Sequence, residues 1–227
     1  MNLIRTSLAL ATALVMLPAT AAQFDFHKLK SPTQPGDFNA TNGVACTGGD
    51  RCSSNVDGGF FGGNLHYVNG GIALDASASF NGRVASVVQD HENGWSATRG
   101  AGLGVYHLRN DNGDDNITAG EMLTISFDQV VHLTRINLRS EGHNFTSWGN
   151  GKTFLFNGSS LGLPQNVGFI NLNLTGQVFT FAFGGSNADQ FYLSGMTAAA
   201  VPEPGTYALL AAGLGALGFV ARRRREA

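Results

Sequence analysis

A twelve-residue stretch from Asn110 to Glu121 carries side-chain oxygens that could bind a hard cation. The stretch begins with Asn and has Asp115 where a calcium loop has glycine. It therefore predicts either a bound Ca²⁺ or a solvated hairpin loop whose side chains cap their own turns. The candidate ligands occupy positions one, three, five and twelve: Asn110, Asn112, Asp114 and Glu121.

Two tryptophans could stack on sugar rings. Trp95 and Trp148 both lie in segments rich in Gly, Asn and Ser, a composition typical of loops. An exposed indole offers a flat apolar face to a glycan, whereas an indole folded over the edge of the core contributes only buried area. Both interpretations remain open for each tryptophan.

Cys46 and Cys52 are the only cysteines of the chain. A zinc site needs further ligands at short spacing, and a redox pair is usually Cys-x-x-Cys, so neither pattern fits. In an exported protein an isolated, closely spaced pair is expected to form a disulfide. Closing so small a loop would stabilise the fold by roughly 2 kcal/mol.

No motif for catalysis stands out. The chain has no Gly-x-Ser-x-Gly, and its six histidines form no His-x-x-x-His or His-x-His pair. Residues 23–200 contain 14 acidic and nine basic residues, a net charge of about −5, which disfavours nucleic-acid binding. We therefore expect no enzyme and no resident cofactor apart from the Ca²⁺ alternative. A secreted glycan hydrolase stays an alternative whose carboxylates the sequence does not single out.

The segment that must position these groups, residues 23–200, is predicted to be all-β. It contains 27 glycines and short alternating apolar runs, and no helix-period stripe exceeds two turns. This pattern predicts an antiparallel β-sandwich or jelly-roll-like domain. The nine predicted strands are 72–80, 83–89, 103–107, 121–127, 131–139, 153–157, 169–174, 178–183 and 191–197. Phe24, Phe26 and Phe38 suggest an additional opening strand pair.

The amino-terminal segment, residues 1–22, has the pattern of a cleavable signal peptide. Arg5 supplies the positive region, Leu8 to Leu17 is uncharged and apolar apart from Thr12, and small residues follow Pro18. Cleavage after Ala21 and cleavage after Ala22 fit this pattern equally. This ten-residue stretch is too short for a membrane anchor, which needs about 20 apolar residues.

The carboxyl-terminal segment, residues 201–227, has three parts in sequence. Pro202, Glu203 and Pro204 form a stiff start that is expected to be non-helical. Thr206 to Ala221 follows as 16 residues without a charge, predicted to be a short transmembrane helix of about 24 Å. A stop-transfer cluster comes next and is expected to stay cytoplasmic: Arg222, Arg223, Arg224 and Arg225.

This tail resembles the PEP-CTERM sorting signal of Gram-negative bacteria, a tail that is also described as the C-terminal domain of ice-binding proteins. The resemblance implies cleavage by exosortase, together with the Sec translocon and signal peptidase as partners. It also implies transient inner-membrane attachment, then release to the cell surface or outside, often within biofilm matrix and exopolysaccharide. A permanent membrane anchor is the alternative, whereas a GPI signal would not usually end in four arginines.

The central domain resembles, more loosely, the sandwich domains that often precede this tail. The shared features are Gly102-Leu103-Gly104-Val105, the acidic loop, Gly120-Glu121 and a last strand just before the tail. We therefore expect an exported, exosortase-processed envelope or matrix protein with a non-catalytic β-sandwich. The alternatives are a calcium-stabilised, lectin-like glycan-binding module and a secreted hydrolase.

Overall fold

The computed structural model describes residues 20–28, 51–53, 64–90, 100–107, 115–141, 148–202 and 204–226. Residues 20–200 form one compact unit, and the described residues after 200 belong to a separate one. The strands of the first unit are β1 (Ala22–Phe24), β2 (Arg51–Ser53), β3 (Leu65–Asn69), β4 (Ile72–Phe80), β5 (Arg83–Asp90), β6 (Gly102–Tyr106), β7 (Glu121–Arg139), β8 (Thr153–Phe156), β9 (Ser159–Gly162), β10 (Phe169–Ala182) and β11 (Tyr192–Ala200).

These strands confirm the predicted antiparallel all-β class. They pair in the order β1-β11-β6-β5-β4-β7-β10-β8-β9, with β2 on β5 and β3 on β4. Every pairing between named strands is antiparallel. Apolar residues on alternate positions of β4, β7 and β10 face one common core, which follows from the two-residue period of a strand.

The long strand β7 connects two parts of the sheet. Residues 121–127 pair with β4 and residues 131–139 pair with β11. Five strands form a closed ring of antiparallel pairings: β11, β6, β5, β4 and β7, with β7 pairing again with β11. Antiparallel neighbours alternate in direction, and five strands cannot alternate all the way around a ring. One strand must therefore change direction. The pairing partners change at residues 128–130 of β7, and β10 follows with a register shift between Gly176 and Val178. Such irregularities let a paired strand bend.

Aromatic side chains join the parts of the sheet across the core. Phe24 packs edge-on against Phe127 with ring centroids 5.9 Å apart, and Phe26 packs against Tyr67 at 4.9 Å. Phe127 in turn contacts Phe179 of β10. All five rings are at most 3% exposed, so the first few residues of the unit are part of its core.

The second unit contains the helix α1 (Pro204–Glu226). It begins inside the segment expected to be non-helical, because proline fits the first position of a helix, where its missing N–H is not needed. No helix in the described part of the chain is long and apolar enough to cross a membrane. This finding contradicts the predicted transmembrane helix. The chain is helical there, but its charge-free stretch of 16 residues ends at Arg222.

The structure describes only the end of the predicted signal segment. Residues 1–19 lie outside the described residues. Thr20 and Ala21 are exposed and precede β1, whereas Ala22 is buried and begins it. The last three residues of the predicted signal segment, 1–22, therefore belong to the β unit, and only Ala22 lies in a strand.

Candidate functional site

The two ends of the β unit lie side by side in an antiparallel ribbon, which we call the terminal ribbon (Ala22–His27 and Tyr192–Ala200). Ala22 pairs with Ala198 and Phe24 with Met196. Past the end of β1, the backbone N–H of His27 donates to the carbonyl of Ser194 at 3.1 Å. An antiparallel ribbon places the start of one strand beside the end of the other. Both segments predicted to direct sorting therefore attach at one end of this ribbon.

Side chains from other strands hold the first strand in place. The Asn69 amide donates to the carbonyl of Gln23 at 2.6 Å, and the Gln89 amide donates to the carbonyl of Phe26 at 2.8 Å. Gly195 lets the backbone of Phe24 approach closely, since a Cβ at this position would lie 2.7 Å from the Phe24 carbonyl oxygen. Sequence reasoning suggested an opening strand near Phe24 but missed its partners, because they are far away along the chain.

At the other end of the ribbon, the predicted sorting motif follows the last strand closely. β11 ends at Ala200, and Pro202, two residues later, is exposed. Glu203 lies outside the described residues, and Pro204 is the first residue of α1. The four arginines of the predicted stop-transfer cluster are exposed on the last turns of that helix: Arg222, Arg223, Arg224 and Arg225.

Of the four predicted calcium ligands, the structure describes only Glu121. Asn110, Asn112 and Asp114 lie outside the described residues. The Glu121 side chain is fully buried; its Oε1 lies 2.6 Å from Nδ1 of His107, and its Oε2 accepts the backbone N–H of Thr118 at 2.8 Å. Phe80 stacks on the His107 ring. Glu121 thus caps the turn that begins β7. Within the described ranges, no group of three or more His, Cys, Asp or Glu could hold a metal ion.

Three other acidic residues act electrostatically on Tyr192, and we call them the carboxylate cluster (Asp90, Asp115 and Glu141). The Tyr192 hydroxyl donates to Asp115 Oδ1 at 2.5 Å, and Glu141 accepts a hydrogen bond from the Asn116 amide. Burial raises the pKa of Tyr192 well above its ordinary value, and the negative charge of the cluster, chiefly that of Asp115, raises it further. Sequence analysis missed this cluster because its three members and Tyr192 come from four separate segments of the chain.

The predicted sugar-binding tryptophans do not form a site in the described structure. Trp95 lies outside the described residues. Trp148 is only 5% exposed, and its indole N–H donates to the carbonyl of Gln190 at 3.1 Å. The Trp148 ring belongs to the core, which fits the interpretation of an indole folded over the core edge, and sugar stacking by Trp148 stays a prediction. Of the predicted disulfide, Cys46 lies outside the described residues, and only the backbone of Cys52, in β2, is described.

A surface with a single charged side chain lies on the side of β4, β7 and β10 that faces away from the core, and we call it the outer face. Three hydroxylated side chains, Ser77, Thr124 and Thr180, stand in register across its middle. The one charged group among its nine side chains is Asp75, which lies 2.8 Å from the ring of His66. The other members of the outer face are Ser79, Met122, Ala182, Ser126 and Val178.

Comparison with known proteins concerns the tail alone. A family model described as the PEP-CTERM protein-sorting motif matches residues 200–225. No curated protein and no solved structure matches the chain significantly. The match begins at the last residue of β11 and extends to the last arginine.

Proposed function

We propose, from the PEP-CTERM sorting motif that this chain carries at residues 200–225, that the protein is a non-catalytic component of the bacterial cell surface or extracellular matrix. The motif itself implies export, exosortase targeting and membrane-associated processing. The further steps belong to the proposal: translocation by the Sec machinery, removal of the signal peptide, and delivery of residues 22–200 as a folded domain.

The observation that most supports this proposal is the position of both ends of the β unit at one end of the terminal ribbon. Ala22 and Ala198 are paired neighbours, so a signal segment before Ala22 and a tail after Ala200 both leave from one end of the domain. Cleavage at the two segments would then free a domain whose core residues all lie between the cuts.

The hydrogen bonds of three acidic side chains, of which only Glu121 is buried, support a role without catalysis. Catalytic carboxylates must reach a substrate and carry a pKa suited to proton transfer. In the described residues, Glu121 accepts from the backbone of Thr118, Asp115 from Tyr192 and Glu141 from Asn116. These hydrogen bonds tie the acids to the fold.

The test follows the tail through processing in an exosortase-containing host. Replacing the motif by Pro202→Ala, Glu203→Ala and Pro204→Ala should abolish the processed form and leave the protein with the membrane fraction. Glu226→Ala removes the same charge from the same tail outside the Pro-Glu-Pro motif, and this control should be processed normally. Normal processing of the triple variant would contradict the proposed function.

A second candidate role, binding of a neutral polysaccharide, is favoured by the outer face. Hydroxyl groups donate and accept hydrogen bonds, as sugars do, and the row Ser77, Thr124 and Thr180 presents them across three strands. Because Asp75 is the one charged group among the nine side chains of this face, a neutral chain would displace little strongly bound water there. This basis for a lectin-like function does not depend on stacking on Trp148.

Binding to a panel of neutral polysaccharides tests this second role. Thr124→Lys should remove binding, because a long charged side chain would stand in the middle of the face. Asn173→Lys adds the same charge on the exposed part of β10 away from that row and should bind normally. Equal binding by both variants would exclude the outer face, and turnover of any glycan would contradict the non-catalytic role.

A further inference from the structure

The boundary between exposed and buried chain falls between Ala21 and Ala22. Ala21 is exposed and lies outside the sheet, whereas Ala22 is 3% exposed and pairs with Ala198. Gly70 lies against Ala22 with φ +56°, and a Cβ on Gly70 would be 3.2 Å from the Ala22 Cβ. The backbone of Gly70 therefore packs closely against the methyl group of Ala22, and the first strand of the sheet begins with this residue.

We propose that the signal peptide is removed by hydrolysis of the Ala21–Ala22 peptide bond, so that Ala22 is the first residue of the mature protein. Water adds across the bond, leaving a carboxylate on Ala21 and an ammonium group on Ala22. This inference rests on the proposed export, and it decides between two cuts that the sequence pattern alone leaves equal.

The small-residue rule for signal peptide cleavage agrees with this choice. A cut after Ala21 places Ala19 and Ala21 at the two positions where small residues are required, giving Ala-x-Ala. A cut after Ala22 would place Thr20, a β-branched residue, at the first of them. That cut would also remove the pair of Ala22 with Ala198 and shorten β1 to two residues.

The position of Ala21 outside the sheet allows this cut both before and after the domain has folded. β1 pairs with β11, the last strand of the domain, so β1 has no sheet partner until nearly the whole domain has been exported. The Ala21–Ala22 bond can therefore be hydrolysed on an extended chain. Once β11 is in place, Ala21 still lies outside the sheet, whereas a cut after Ala22 would require β1 to separate from β11.

Amino-terminal sequencing of the exported protein tests the inference. The expected mature terminus is Ala22, and a terminus at Gln23 or Thr20 would overturn the inference while leaving the proposed export intact. Recovery of the chain still beginning at Met1 from the cell interior would contradict the proposed export as well. The two failures are therefore distinguishable.

A matched pair of variants sharpens this test. Ala21→Phe puts a large residue directly before the proposed bond, so the Ala22 terminus should be lost. Thr20→Phe puts the same residue one position earlier, where the rule tolerates it, and processing should match the unmodified chain. The opposite pattern, with Thr20→Phe blocked and Ala21→Phe processed normally, would assign the cut to the bond after Ala22. Both residues are exposed outside β1, so neither substitution alters the packing of the domain.

Discussion

The β unit and the carboxyl-terminal helix encode their structures in different ways. In the β unit, Phe24 contacts Phe127 and Ala22 pairs with Ala198, so its structure depends on residues far apart in the chain. In α1, the apolar stretch and the arginines follow one another, and large side chains such as Leu209 and Phe219 are 77% and 65% exposed. A local pattern can be recognised as a short sequence, which explains why the family model matches the tail.

This comparison predicts that a Phe→Ala substitution lowers the stability of the β unit when it is made in β1 and leaves that stability unchanged when it is made in α1. Phe24→Ala removes a ring that is 0% exposed, so it should lower the free energy of unfolding by about 3–5 kcal/mol. Phe219→Ala, in the helix, should leave the unfolding of the β unit unchanged. Chemical denaturation of both variants measures the difference. Equal unfolding midpoints would contradict the assignment of β1 to the core.

A pair of glycine substitutions gives the next largest expected difference. An added Cβ at Gly104 would lie 1.8 Å from the backbone oxygen of Asp115, so Gly104→Ala must displace that segment and should cost about 1–3 kcal/mol or more. Around Gly213, in α1, an added Cβ meets nothing within 4 Å. Gly213→Ala should therefore leave the thermal unfolding of the β unit unchanged. A Gly104→Ala protein as stable as the parent would show that β6 does not pack against Asp115 as described.

For a substitution at the carboxylate cluster we expect a smaller effect on the free energy of unfolding. Tyr192→Phe removes the hydroxyl that donates to Asp115 and leaves a partly buried carboxyl without this partner, so the free energy of unfolding should fall by about 1–3 kcal/mol. Tyr67→Phe removes a hydroxyl that donates to the neutral amide of Gln89 at 2.8 Å, and its cost should be smaller. Urea denaturation ranks the two variants, and the reverse ranking would contradict the importance of the cluster.

Raising the pH tests the burial of Tyr67 and Tyr192, because the stability should fall gradually as the pH rises above 10. Burial raises the pKa of Tyr67 and of Tyr192 above the ordinary value of 10.0. Their full contribution to stability is present below pH 10 and falls above it, because the unfolded state then loses phenol protons that the folded state keeps. Each tyrosine should reduce the stability by about 1.4 kcal/mol per pH unit in this range. Ultraviolet titration of both phenols near pH 10 in the folded protein would contradict their burial.

Most of the strands could be predicted from the sequence because alternation is a local signal. β4 matches its predicted bounds, Ile72–Phe80. Two pairs of predicted strands are instead the single long strands β7 and β10. Their apolar alternation is interrupted near Asp128 and Gly176, where the strands change register and continue.

The candidate sites were harder to predict than the strands, for a physical reason. The spacing that suggested a calcium ligand at Glu121 contains no information about His107, whose ring takes up one carboxylate oxygen. Composition around Trp148 predicted a loop, which the structure has, but it contains no information about the burial of the indole or its hydrogen bond to the carbonyl of Gln190. Contacts of this kind depend on strand pairing. Only the sorting motif, which is contiguous, could be identified residue by residue.

The central claim, export of a folded β unit that is separated from its tail, is tested most directly by the intact mass of the protein recovered from the cell surface or medium. The proposal predicts a shortened chain that begins at Ala22 and ends near the Pro202–Pro204 motif, without the arginine cluster. An intact chain of 227 residues, found only inside the cell, would contradict it.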